Sequence, residues 1–169
     1  MKYGTAGYLN CDKGILMLEK NERKDDPNSG YFALPGGKLK EYEKGLDTPK
    51  GRLESVIRET KNETGIKLIN PLLRGLILFD NSERIFDNWL NPDDFYVYYY
   101  SAKKYLGKLK ESDEGVPFWI SSLEEIDSLP KNEGDKLIYE WIKDGRNFLG
   151  VIKHKEKELD ESGTFVDYF

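Results

Sequence analysis

One cysteine and one histidine are all the chain carries in 169 residues. Cys11 has no intrachain disulfide partner, and zinc centres built on thiolate clusters or paired imidazoles are excluded. A Ser-His-Asp triad would have to recruit His154, near the C-terminus. No apolar run approaches the roughly 20 residues that cross a bilayer, and Met1-Lys2-Tyr3-Gly4 lacks the apolar core of a secretory signal. The expected setting is the cytoplasm, with no membrane partner. Positive charge is also scarce, 26 basic residues against 31 acidic for a net −5, which argues against coating a nucleic-acid polymer. Oxygen chemistry is what remains.

Apolar and aromatic material is ample. Hydrophobic residues make up 38% of the chain, with 3 Trp, 11 Tyr and 8 Phe, enough for a real core at this length. No repeat, low-complexity tract or linker divides it, so residues 1–169 are expected to form a single domain.

Tyr3 to Leu9 and Gly14 to Glu19 predict two strands joined by a turn at Cys11-Asp12-Lys13-Gly14. Lys20 to Gly30 is rich in turn formers and predicts a loop. A short apolar run, Tyr31-Phe-Ala-Leu34, leads into Pro35-Gly36-Gly37, where the backbone can turn sharply or approach a ligand closely. Further strands are expected at Leu72 to Phe79, Phe95 to Tyr100 and Val116 to Ile120, a helix at Gly134 to Ile142, and a closing hairpin from Phe148 to His154 and Thr164 to Phe169. Strands mixed with two well-separated helices predict a mixed α/β layered domain. The aromatic run Phe95 to Tyr100 predicts a strand covered on both faces rather than a wall for stacking a base.

The informative stretch is Gly51 to Ile66. Leu53, Val56, Ile57 and Thr60 recur at helical spacing and define a core-facing stripe, and Gly65 suits the helix end. Glu59 and Glu63 lie one turn apart on another face, with Asn62 beside them. Two carboxylates on a rigid element suit a hard cation such as Mg²⁺, which takes oxygen ligands from one or two carboxylates together with substrate phosphates.

Gly36-Gly37-Lys38-Leu39 followed by Arg58-Glu59-Thr60-Lys61-Asn62-Glu63-Thr64-Gly65-Ile66 resembles the Nudix box, G-x5-E-x7-R-E-U-x-E-E-x-G-U, where U is aliphatic. Two departures stand out. Gly37 and Glu43 satisfy the first interval, but Arg58 comes late, implying extra residues such as Lys44 to Gly51; counted backward from Arg58, the first Glu falls on Lys50. Asn62 stands where the family has the first Glu of its pair, and an amide brings neither charge nor a base. The likeness extends to Glu111-Ser-Asp-Glu114 and to the C-terminal strands, which are similar to MutT-type members that hydrolyse oxidised purine triphosphates.

The resemblance implies a Nudix-like α/β/α sandwich with a mixed sheet. It implies an enzyme that uses Mg²⁺, or Mn²⁺ in its place, to cleave a diphosphate linkage in a nucleoside triphosphate or related nucleoside diphosphate derivative. By the same token the metal ligands would be the Gly37 carbonyl, Glu59, Glu63 and Glu114, with Glu59 also helping to deprotonate water and Arg58 orienting the carboxylates. Lys20 and Asp135 fall where those relatives contact substrate. Ala33 and Asn132 occupy places where purine readers carry Asn and Trp, and Gly134 replaces the first acid of their pair, so sugar-linked diphosphates stay open. The partner is expected to be a small nucleotide, and the protein a monomer or homodimer. The rival is a non-catalytic nucleotide-binding or protein-interaction domain of the same fold, with Asn62 as the first sign of a decayed metal site.

Overall fold

The computed structural model describes residues 2–22, 29–39, 48–85 and 93–169. Glu43, one of the two candidates for the box's first acid, lies outside them. The other, Lys50, is exposed in the first turn of a helix and pairs with Glu54 at 3.8 Å.

Two antiparallel strands, β1 (Lys2–Cys11) and β2 (Gly14–Lys20), open the chain. Then come β3 (Phe32–Ala33), β4 (Gly36–Lys38), helix α1 (Pro49–Thr64), β5 (Ile66–Ile69), β6 (Leu72–Arg84), β7 (Phe95–Ala102), β8 (Lys104–Gly107) and β9 (Gly115–Ile120). A 3₁₀ turn at Leu123–Ser128 precedes helix α2 (Asp135–Asp144), which is followed by β10 (Phe148–Glu156), β11 (Glu158–Leu159) and β12 (Phe165–Tyr168). The central order is β10-β6-β7-β1-β2. β10 runs parallel to β6 and β1 parallel to β7, whereas β6 and β7 are antiparallel, so the sheet is mixed.

Alternation along β7 explains the layers. Val97 and Tyr99 join one core cluster, with Ile77, Phe148 and Ile152 from the sheet and Ile138, Trp141 and Ile142 from α2. Tyr100 joins the other, with Leu9, Leu16, Val56 of α1, Ile66 and Leu68, while Tyr98 packs against it. A period of two thus sends successive aromatics to opposite faces, and a helix covers each face. The aromatic run is core, as its continuity predicts.

Three differences from the sequence expectation have simple causes. Gly36-Gly37 is a strand, not a turn: β4 pairs with β1 through Gly4↔Lys38, Thr5↔Gly37 and Ala6↔Gly36. β6 continues past Phe79 to Arg84 because its polar end pairs with Lys153 to Glu156 of β10, and backbone pairing needs no apolar side chain. The β5–β8 ribbon is too short for a pattern to show. Among the described residues no helix is long and apolar enough to cross a membrane.

α1 starts and stops on local chemistry. Thr48 caps it by accepting from the Gly51 N–H at 3.1 Å, with Pro49 at the first position. Gly65 ends it at φ 79°, a left-handed conformation that glycine adopts without steric penalty. The helix is thereby fixed in phase as well as in place.

Phe148 has no solvent exposure and touches both the β7 and α2 sides of the first cluster. Phe148→Ala is expected to cost about 3–5 kcal/mol, read as a lower urea midpoint with little change in slope.

Candidate active site

Side chains would keep β4 from β1 on one side and from α1 on the other, and Gly36 and Gly37 have none. A Cβ on Gly36 would stand 2.2 Å from the Thr5 carbonyl oxygen, and one on Gly37 would stand 2.8 Å from Glu59 Oε2. Neither glycine has a positive φ. They are needed for close approach rather than for turning.

Through that gap the strand takes hold of the helix. The Gly36 N–H donates to Glu63 Oε2 at 2.8 Å, and the Glu63 residue is only 5% exposed. One turn earlier, Glu59 Oε1 accepts from Arg58 Nε at 3.2 Å and Nη2 at 2.9 Å, while Oε2 faces Gly37. Glu59 and Glu63 therefore converge on the Gly-Gly strand, with Arg58 fixing the orientation of the first.

A third carboxylate approaches from the other sheet edge. Ser112 Oγ donates to the Glu63 carbonyl at 3.1 Å and accepts from the Glu114 N–H at 3.2 Å, tying the turn before β9 to the end of α1. The Asn21 N–H donates to the Glu114 carbonyl at 3.0 Å. Glu114 itself is exposed and close enough for its charge to act on Glu63. Asn62 is exposed at the last turn of the helix.

These placements set the titration of Glu63. Burial pushes its carboxyl up to about 7; the Gly36 N–H and the Lys20 ammonium oppose that rise, and the charges of Glu114 and Glu59 add to it. Glu63 feels the charges of Glu114 and of Glu59, the latter paired with Arg58, and a divalent cation would relieve that repulsion. The Cβ-free cradle at Gly37 leaves room for a backbone oxygen to share in coordination. Among the described residues no group of three His, Cys, Asp or Glu side chains is placed to hold a metal ion, so side chains alone do not make the site.

Lys20, at the end of β2, lies within electrostatic reach of both Glu63 and Asp135. Asp135 opens α2, its N–H donating to the Asn132 carbonyl at 3.1 Å. Burial pushes its carboxyl up to about 7, against hydrogen bonds to Asn132 and the charges of Lys20 and Lys131. Enclosure outweighs the helix dipole expected to favour a first-turn Asp. The structure thus places all seven sequence-predicted residues along one stretch of the molecule, from Arg58, Glu59, Glu63, Gly37 and Glu114 at one end to Lys20 and then Asp135 at the other.

Two contributors escape sequence reading. One is the Gly36 amide, for which the paired glycines were the only signal. The other is His154, expected to be an ordinary strand residue, which is 4% exposed with Nδ1 lacking a hydrogen-bond partner.

Comparison with known proteins identifies the family and the fold. The NUDIX domain family model matches residues 3–142. The uncharacterized Nudix hydrolase YvcI of Bacillus subtilis (strain 168) is 32% identical over 148 residues, covering 86% of this chain and 81% of that protein. The chain belongs to the Nudix hydrolase family, whose members act on phosphoric anhydride bonds and use divalent metal. Among solved structures, a MutT protein from Bacillus halodurans superposes with a TM-score of 0.75 at 27% identity, over 99% of this chain and 98% of that one. A bifunctional NMN adenylyltransferase/ADP ribose pyrophosphatase from Francisella tularensis, complexed with AMP and a Mn ion, gives a TM-score of 0.57 at 20% identity, over 85% of this chain and 41% of that one.

The raised carboxyl of Glu63 makes stability depend on pH. Between its ordinary value of 4.5 and about 7, the folded state holds a proton that the unfolded state has lost, so stability falls as pH rises through that window. The drop from this group is about 3 kcal/mol. Glu63→Gln should remove about half of the slope of the metal-free stability profile over that range, the rest coming from Asp135, whose carboxyl is raised from 3.8 to about 7, as urea unfolding at a series of pH values will show.

Proposed function

We propose that residues 1–169 form one Mg²⁺-dependent hydrolase domain that cleaves the diphosphate linkage of a nucleoside triphosphate or related nucleoside diphosphate derivative. The observation that carries this is the convergence of Glu59 and Glu63 on the Gly-Gly strand, with Glu63 held by the Gly36 N–H at 2.8 Å. The metal and nucleotide in the Francisella tularensis neighbour support the same class of ligand.

When bound, Mg²⁺ polarises phosphoryl oxygens and lowers the pKa of a coordinated water. Glu63, Glu59, Glu114 and the Gly37 carbonyl would hold it. Glu59 is the helix acid placed for the base role, because Arg58 grips Oε1 and leaves Oε2 directed at the Gly37 cradle, whereas Glu63 Oε2 accepts from the Gly36 N–H. It would accept the proton of the attacking water as the new phosphorus–oxygen bond forms and the anhydride bond breaks. Lys20 sits between the carboxylates and Asp135, in place to neutralise phosphate oxygens that a chain of net charge −5 would otherwise repel. Asp135 would contact the group beyond the phosphates.

Product analysis across nucleoside triphosphates, nucleotide sugars and dinucleoside polyphosphates, with Mg²⁺ or with chelator and following nucleoside monophosphate, pyrophosphate and sugar phosphate, tests the proposal. Turnover is expected only with metal, and Glu59→Gln is expected to reduce kcat by roughly 10²–10⁴-fold. Tight nucleotide binding without turnover would favour a binding domain.

Asn62 contributes no charge where the box has a carboxylate. Asn62→Glu is expected to lower the Mg²⁺ concentration giving half-maximal activity. An unchanged rate and metal requirement would show that this exposed position does not limit the site.

A further inference from the structure

Beyond Asp135 lies a second group of buried polar side chains to which the proposed hydrolysis gives no role. Asn81 and Arg84 come from the polar end of β6, and His154 from β10 beside it. Asn81 is 7% exposed and His154 4% exposed. The pairing of β6 with β10 shifts register between Lys153 and Lys155, an irregularity of the kind that re-aims side chains near binding sites.

Arg84 is half-buried at the centre of the group. Its Nη1 donates to Asn81 Oδ1 at 3.4 Å, and Asn81 Nδ2 donates in turn to the Asp93 carbonyl at 3.2 Å. Asp135 and Glu133 both lie within electrostatic reach of Arg84, as does His154. Burial, then the Arg84 charge, lowers the His154 imidazole to about 4, so the ring is neutral at pH 7. Its Nδ1 has no hydrogen-bond partner. Buried polar atoms are nearly always paired, so this unpaired nitrogen beside Arg84 is available to a hydrogen-bonding group brought by a ligand.

The chemistry of the group selects among ligands. An anion is disfavoured, because Asp135 and Glu133 stand beside Arg84. Base stacking is disfavoured as well: Tyr99 and Tyr139 are buried in the core at 6% and 4% exposure, Phe79 packs on that core, and Phe32 meets Phe118 edge-on at 5.3 Å. What the group offers is a guanidinium donor, a carboxylate acceptor, and an imidazole that can serve either way. Vicinal hydroxyls, each both donor and acceptor, match that mixture.

Resting on the hydrolase assignment above, we propose that Arg84, backed by Asn81 and His154 and facing Asp135, forms a specificity subsite for an uncharged, hydroxyl-bearing group beyond the diphosphate, such as a sugar. Arg84, the more open member, meets the ligand first. His154, only 4% exposed, acts through Arg84, whose charge reaches it.

The test uses pairs that share a base: UDP-glucose with UTP, ADP-ribose with ATP, and GDP-mannose with GTP. The sugar nucleotide of at least one pair should be preferred in kcat/KM by about 10-fold or more. Arg84→Ala should raise KM for that sugar nucleotide about 10-fold or more, with kcat nearly constant and the matched triphosphate unaffected. His154→Phe should erode the same preference. Circular-dichroism melting checks each variant, and Arg84→Lys, which keeps the charge but loses the planar fork, replaces Arg84→Ala if the latter does not fold. Preference for the triphosphate in every pair, or equal loss on both members of a pair, overturns the subsite. If nothing is turned over with Mg²⁺, the hydrolase assignment fails separately. Calorimetric titration with the three sugar nucleotides then decides the subsite: binding weakened by Arg84→Ala supports it, and absent or unaltered binding overturns it.

Discussion

The bond from the Gly36 N–H to the Glu63 carboxylate is the constraint on which the site depends. It joins a strand of the central sheet to the helix that carries both acids, and two residues without side chains permit it: Gly36 lets β4 lie close on β1, and Gly37 leaves room for the Glu59 side chain. Burying a carboxylate costs free energy that one amide donor and one nearby ammonium do not fully offset. The raised Glu63 carboxyl is the residue of that imbalance. A domain optimised only for stability would place an apolar side chain there. Under the proposed function, the acid is kept because a cation would need a carboxylate there.

The same constraint orders the parts around it. With α1 fixed by its Thr48 cap and by Gly65, Glu59 is presented to Gly37, and Arg58 takes the oxygen on the far side. The Ser112 hydroxyl then locks the Glu114 turn to the end of the same helix. Each contact is modest, since one net hydrogen bond contributes about 0.5–1.5 kcal/mol. Their value lies in geometry: Glu63 comes within electrostatic reach of Glu59 on its own helix and of Glu114 from a separate chain segment.

Much of this was legible in the residues, and the rest was not for physical reasons. A spacing of four puts Glu59 and Glu63 on one face wherever a helix forms, and the Leu53, Val56, Ile57, Thr60 stripe specifies the face that turns inward. Phe95 to Tyr100 showed two-sided burial because no polar residue interrupts it before Ser101. By contrast, Gly36-Gly37 looks alike as a turn or a strand, since glycine permits both, and only pairing with β1 decides. Lys20 and Asp135 meet because β2 and α2 are brought together by the sheet, which no local pattern encodes. His154 was correctly expected in a strand, but its burial against Arg84 follows from the parallel pairing of β10 with β6.

Lys20 deserves its central place on electrostatic grounds. One ammonium lies within reach of two carboxyls, each pushed up to about 7 by burial, and it cannot neutralise both. Charge compensation at either end therefore alters the field at the other. A cation at Glu63 would release part of the attraction Lys20 directs there, leaving Lys20 more available to Asp135 and to phosphate oxygens between them. A substrate with phosphates at one end and neutral hydroxyls at the other fits this gradient better than one charged throughout, because only the metal end gains a positive charge able to hold an anion. The division of labour between the acidic helix and the polar end of β6 thus follows from where the chain places its few buried charges.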